Sequence, residues 1–278
     1  GVLRIDHVMA LHRLFWIPEG FDPADGVYVR YPAEELWAAV CLAATTHHAD
    51  VFGEDLGNVP DEVRAAMDLH GVRRMHVAQF AVHPGGDPDV AAAPPGSVAS
   101  FGTHDTPTFA GWWTGQGLDD GALPERVAAR EVLWRRAVGK GRTPASATRR
   151  ALDGAHRMLA EGPAGTVMVN LEDLWLEPEP QDVPGTDTPA NWTRKASRAL
   201  EDLAADAAVT ASLCVLAEAR PWQPAGAHPP AVTDSGETVF GVSLLTTDDL
   251  HLFNEGRHFQ LHRKLGAHPL TADGHEGT

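Results

Sequence analysis

The sequence predicts an α/β fold whose strands run parallel. Five short apolar runs, each ending in polar residues, recur along the chain: VLRIDHV (2–8), ADVFGEDL (49–56), RRMHVAQFAV (73–82), SVASFGTHD (97–105) and TVMVNLEDL (166–174). Helix-like segments fall between most of them, and strand alternating with helix implies parallel strands joined by right-handed crossovers. The carboxylates Asp6, Glu54 and Asp105 stand at the carboxyl ends of three of these runs. That is the end at which parallel sheets and barrels carry their chemistry.

The elements follow in order. After the first strand, PAEELWAAVCLAATTHH (32–48) places Leu36, Ala39, Val40 and Ala43 at helical spacing. After the second, PDEVRAAMDLHG (60–71) opens on Pro60 and closes on Gly71, the usual asymmetry of helix ends. The third and fourth strands, 73–82 and 97–105, are followed by a helical pair, PERVAAREVLWRRAV (124–138) and SATRRALDGAHRMLAEG (146–162). Trp112 and Trp113, ahead of that pair, read as core aromatics. The fifth strand leads into a helix expected over NWTRKASRALEDLAADAAV (191–209). RPWQPAGAHPPAVTDSG (220–236), rich in Pro, Gly and Ala, reads as a linker.

Bulk properties narrow the partners. The chain has 278 residues and a net charge of −16. Such an acidic surface argues against nucleic acid and against anionic lipid as partners. No apolar run reaches membrane-spanning length and no signal-peptide pattern opens the chain. The two cysteines, Cys41 and Cys214, sit in helix-like segments without a CxxC partner, which points away from a disulfide scaffold or a zinc cluster. A cytoplasmic protein is the expectation. The scattered histidines, His47 and His48 among them, show no metal-ligand spacing.

The three acids acquire meaning together. Cleaving a glycosidic bond needs two carboxyl groups, a nucleophile or base and an acid. Asp is short and suits a nucleophile fixed at a strand end, whereas Glu reaches a leaving oxygen. Arg4, two residues before Asp6, points to the same face because side chains alternate along a strand, and its charge would keep Asp6 ionised. Glu54 would need its proton held by neighbouring anions and partial burial. Asp105, with His104 beside it, could bind sugar hydroxyls. Each feature also has a plain structural explanation: Arg4–Asp6 a structural ion pair, Glu54-Asp55 a polar strand cap, Thr103–Thr106 a helix cap.

At these residues the chain resembles 4-alpha-glucanotransferases of the amylomaltase (disproportionating enzyme) family, glycoside hydrolase family 77. LRIDHVMALHRLFWIP resembles the family's fourth-strand motif, VFGEDLGNVPDEV the fifth, VRRMHVAQFAV the sixth and GTHDTPTFAGWW the seventh. VNLEDLWLEPEPQDVPGTDTPANWTRKA resembles the eighth strand and its following loop. The resemblance implies a fold comprising about strands 4–8 of a (β/α)8 TIM barrel over residues 1–220. It implies Asp6 as nucleophile, Glu54 as general acid/base and Asp105 as transition-state stabiliser. Arg4, His104 and Trp16 would contact substrate or its partners, with Phe15 and Trp16 the candidates for stacking on sugar rings. Two loops depart from the family pattern: THDTPT where THDNDT is usual, and PQDVPG where RMNxPG is common. Neither departure removes a catalytic acid.

The implied reaction is retaining transfer of an alpha-1,4-glucan segment to the 4-hydroxyl of an acceptor glucan. Its partners are maltooligosaccharides and alpha-glucans, and no metal or organic cofactor is required. The alternatives are an alpha-1,4-glucan hydrolase or debranching enzyme, and a non-catalytic glucan-binding module. The chain opens at Gly1, almost inside a strand, and the family match begins at the fourth barrel strand. The expectation is therefore a piece lacking the amino-terminal half of the barrel. DLHLFNEGRHFQLHRKLGAHP (249–269) is similar to the start of a glycogen branching enzyme, so residues 237–278 are expected to open a following module.

Overall fold

A computed structural model describes residues 1–221 apart from 84–91, 118–120, 142, 145, 187–188 and 204. The expected linker beyond Pro221 and the module expected at 237–278 lie outside the described residues. The centre is a five-stranded parallel sheet. Its strands, in spatial order, are β1 (Val2–Ile5), β4 (Asp50–Gly53), β5 (Arg73–Val77), β6 (Val98–Ser100) and β7 (Thr166–Val167). All five predicted strands are present, each shorter than its apolar run. In the third, the chain turns helical at α3 (Ala78–Ala81). In the fifth, the run leaves the sheet after Val167 and forms a 3-10 helix at Leu171–Trp175.

An element the periodicity missed lies between the first strand and its helix. Strands β2 (Arg13–Trp16) and β3 (Val27–Arg30) pair antiparallel, Arg13 opposite Arg30 and Trp16 opposite Val27. Their turn contains a 3-10 helix, Pro23–Asp25, that Asp22 closes with a capping box. Phe15 packs edge-on against Tyr28, ring centres 5.0 Å apart, and the Arg13 guanidinium lies 4.3 Å from the Tyr28 ring centre. Helices α1 (Ala33–Thr46) and α2 (Asp61–Leu69) follow the prediction closely.

Beyond β6 come α4 (Phe109–Thr114), α5 (Leu123–Ala137) and α6 (Thr148–Glu161). Trp112 and Trp113 are buried as expected, packed with Phe101, Phe109, Trp134, Leu133 and Leu152. Arg126 and Arg130 lie over the two indoles, and each donates to that tryptophan's carbonyl, at the carboxyl end of α4. A second core joins Val8, Met9, Trp37, Val51, Val63 and Met67 beneath β1 and β4.

The helix expected at 191–209 is corrected. Residues 191–199 form turns and bends, Leu200–Leu203 makes a short helix α7, and the main helix α8 spans Ala207–Ala219. The cause is local. Asp206 is the N-cap of α8, accepting from the amides of Ala208 and Val209. Arg220 follows α8 and gathers the carbonyls of Ala160, Gly162, Ala164 and Gly165 at the end of α6.

Candidate active site

The β1–β4 ladder brings Asp6 and Glu54 side by side. Ile5 pairs with Gly53. The ladder runs one step further, the Glu54 amide donating to the Ile5 carbonyl at 2.8 Å and the Val8 amide to the Glu54 carbonyl at 3.0 Å. Glu54 is then fixed by its own carboxylate: Oε2 accepts from the His7 amide at 3.0 Å and Oε1 from the Leu56 amide at 2.7 Å. One side chain thus joins the carboxyl ends of two neighbouring strands.

Asp6 turns outward. Its side chain is 55% exposed and its Oδ1 lies 2.7 Å from Nη1 of Arg4, the pairing that strand alternation predicts. The next residue, His7, has φ 43°. A non-glycine residue in the left-handed region stores strain of the sort that clusters at functional sites. Gly53 explains how the chain fits there: a Cβ at this position would meet Val8 Cγ2 at 2.7 Å and Met67 at 3.0 Å. Only glycine lets Val8 close under the turn that carries Asp6.

Asp105 stands on the same carboxyl rim of the sheet but is held differently. Strand β6 ends at Ser100, so Asp105 rides on a loop rather than at a strand end. Its Oδ2 lies 3.2 Å from Nε2 of His104, and its amide donates to Thr103 Oγ1. The helix-cap reading of 103–106 is overturned: the N-cap of α4 is Thr108, whose Oγ1 accepts from the Gly111 amide. The imidazole of His104 packs against Trp192, ring centres 5.4 Å apart. Trp192, with φ 58°, belongs to the loop after the eighth-strand motif and was not singled out by the sequence.

Trp16 and Phe15 lie on the hairpin, and Trp16 is 54% exposed. Its indole Nε1 donates to the Tyr31 hydroxyl at 2.9 Å. The structure thus pairs Arg4 with Asp6, ties Glu54 to the amide of the residue after Asp6, and holds His104 with Asp105 as a second pair. Among the described residues no group of three or more His, Cys, Asp or Glu is arranged to hold a metal.

Of two buried carboxyls, sequence reasoning took Asp55 only for part of a polar strand cap and did not single out Asp173. Asp55 accepts from Arg74 Nε and the Met75 amide, each at 3.0 Å, with Arg64 Nε at 3.5 Å. Asp173 accepts from the Phe109 amide at 2.6 Å, and its carboxyl is pushed up to about 7, chiefly by burial. Both belong to a Glu-Asp-Leu tripeptide, 54–56 and 172–174. The signal is incomplete, because the same tripeptide at 201–203 lies in α7 with Asp202 exposed.

A parallel sheet with its helices and carboxylates along the strands' carboxyl ends fits a partial (β/α)8 barrel. Residues 1–201 match the family model of 4-alpha-glucanotransferases, glycoside hydrolase family 77. The chain belongs to that family. It is 44% identical over 113 residues to the 4-alpha-glucanotransferase of Haemophilus influenzae, covering 41% of this chain and 16% of that protein. It is 33% identical over 221 residues to that of Mycobacterium bovis, covering 69% of this chain and 29% of that protein. The chain therefore spans well under two thirds of the length of these relatives. Among solved structures, the amylomaltase of Corynebacterium glutamicum superposes with TM-score 0.64 at 25% identity, over 79% of this chain and 35% of that one. The amylomaltase of Streptococcus agalactiae, in complex with acarbose, shares the fold at TM-score 0.60 and 20% identity, over 78% of this chain and 40% of that one.

Proposed function

We propose that this chain forms part of a 4-alpha-glucanotransferase that works by retention on alpha-1,4-glucans. The observation that carries the reading is the pairing of Asp6 with Arg4 at 2.7 Å beside a Glu54 bonded across to the His7 amide. In the first half-reaction, Glu54 gives its proton to the glycosidic oxygen as that bond breaks, and the Asp6 carboxylate attacks the anomeric carbon. This leaves a glycosyl ester on Asp6 and a free reducing-end sugar. In the second, Glu54 takes the proton of an acceptor 4-hydroxyl, whose oxygen displaces Asp6 and restores an alpha-1,4 bond. Arg4 orients Asp6. Asp105, with His104, bonds hydroxyls of the sugar at the reacting centre. Trp16 and Phe15 offer stacking faces to sugar rings.

In this reading the chain acts within a longer polypeptide that supplies the remaining barrel strands, as the length of its relatives suggests, and continues into a branching-enzyme-like module. The proposed setting is the cytoplasm; Cys41 and Cys214 are both free thiols. No helix among the described residues is long and apolar enough to cross a membrane.

The test uses the full-length polypeptide with maltotriose, with and without Asp6→Asn. A ladder of longer maltooligosaccharides plus glucose, lost in the variant, is the expected outcome. Glucose and maltose alone would indicate a hydrolase, and no turnover would indicate a glucan-binding module.

A further inference from the structure

We propose that Asp173 is a positioning residue for Asp105, and that with Gln79 and Asn170 it forms a buried polar pedestal holding the loop that carries His104 and Asp105. The proposal rests on Asp105 acting as read above. The loop leaves β6 at Phe101 and enters α4 at Phe109. Gln79, from the helical turn after β5, grips both of its limbs: its amide donates to the Phe101 carbonyl and its side-chain Nε2 to the Pro107 carbonyl, each at 2.9 Å. Asp173, from the 3-10 helix after β7, takes the end of the loop through the Phe109 amide at 2.6 Å. Within the loop, Thr106 Oγ1 accepts from the Thr103 amide and donates to the Thr103 carbonyl, bracing the residues on either side of His104-Asp105.

Thr106, Gln79 and Asn170 converge at Gly102. A Cβ there would come within 2.6 Å of Thr106 Oγ1, 3.5 Å of Gln79 Nε2 and 3.7 Å of Asn170 Nδ2. Asn170 Nδ2 in turn lies 3.5 Å from Asp173 Oδ2. Asp173 is 1% exposed and Gln79 8%. Elements on both sides of β6 thus fix a loop that neither of them carries.

A carboxyl group in so dry a place is a poor way to gain stability alone, since burying it is costly unless it is fully bonded. A well-packed apolar residue would hold α4 against the core as firmly. What an apolar residue cannot do is fix the Phe109 amide in direction, and with it the exit of the loop. Catalytic groups must be held within about half an ångström of their working place, and displacement by about 1 Å can lower rates about 100-fold.

The experiment measures steady-state disproportionation of maltotriose by the full-length protein and by Asp173→Leu, Asp173→Asn, Gln79→Ala, Asp105→Asn and Leu152→Ala. Leu152 is fully buried in the same core and serves as the stability control. Asp173→Leu is expected to lower kcat about 100-fold with KM within about twofold. Asp173→Asn, which keeps an oxygen for the Phe109 amide, should recover to within about fivefold of wild type. Leu152→Ala should lose melting temperature but keep kcat. If Asp173→Leu does not fold, Gln79→Ala decides, and the same fall in kcat at unchanged KM supports the pedestal. A folded Asp173→Leu or Gln79→Ala with wild-type kcat overturns the inference, as does a kcat that falls equally in Leu152→Ala. Full activity in Asp105→Asn would instead overturn the reading of Asp105 on which the inference stands.

Discussion

On the β1–β4 side of the rim, Glu54 is held by two backbone amides and the ladder, and Asp6 by the neighbouring Arg4 guanidinium. On the β6–β7 side, Asp105 is held by a loop whose anchors are buried polar side chains. The core beneath the first side is aliphatic, with one tryptophan, whereas the second packs three tryptophans and two phenylalanines with Leu133, Leu152 and Leu159. The contrast teaches where chemistry and stability are coupled. On the first side Asp6, the proposed nucleophile, is exposed enough to be changed without disturbing the core. On the second, the groups that set the geometry are themselves part of the core.

The largest expected effect breaks that contrast at its exposed end. Asp6→Asn should lower transferase activity by at least about 1,000-fold, while the melting temperature moves by no more than about 2 °C, because the Asp6 side chain is more than half exposed. A large loss of melting temperature would show the pair to be a structural fastening. Next comes Gly53→Ala. Its new methyl collides with Val8 and Met67, so it should destabilise the fold by about 1–3 kcal/mol and lower kcat as the Asp6 turn shifts. Thermal denaturation with kinetics on the same sample measures both.

The pH dependence of stability sharpens the second side. Asp173 in the fold titrates at about 7, against 3.8 for an ordinary aspartate. The folded state therefore holds a proton that the unfolded state has lost between those values, and this group adds stability as pH falls from about 7. His156, fully buried with an unpartnered Nδ1, is pushed down to about 4 by burial and by the Arg149 charge. The unfolded state takes up a proton first, so this group removes stability as pH falls from 6.5 towards 4. The two oppose each other in one window, each worth on the order of a few kcal/mol. Relative to wild type, Asp173→Asn should lose stability as the pH is lowered from 6.5 to 4, and His156→Leu should gain it. Urea denaturation across that range checks both slopes, and parallel slopes in the three proteins would contradict them. The smallest effect belongs to the surface. Arg157 and Glu218, 4.0 Å apart and exposed, join α6 to α8, and Arg157→Ala should change stability by less than about 0.5 kcal/mol.

Much of this was legible in the sequence. Helices α1, α2, α5 and α6 follow apolar spacing and end signals, and the parallel order follows from alternation. Arg4–Asp6 follows from the two-residue repeat of a strand. The hairpin was not legible, because its four-residue strands are separated by IPEGFDPADG and neither shows alternation long enough to read. The segment 191–209 is rich in Ala and Leu, good helix formers, yet only its end is helical. At its start, Asn191 bonds back to the carbonyls of Val183 and Thr186 and folds the chain into a loop instead. Asp173 was invisible for a different reason: its main partner, the Phe109 amide, lies 64 residues away in the chain, and no local pattern records a distant amide.

The register of β1 against β4 has a stereochemical consequence. Ile5 pairs with Gly53, so the next residues, Asp6 and Glu54, occupy matching rungs of adjacent strands. Neighbouring strands lie about 4.7–4.9 Å apart. Carboxyl groups that work by double displacement stand about 5–5.5 Å apart, whereas single displacement needs about 6.5–9.5 Å to admit a water between them. In the proposed reading the sheet's own pitch acts as a ruler, and retention at the anomeric carbon would follow from placing the two acids at the ends of adjacent strands.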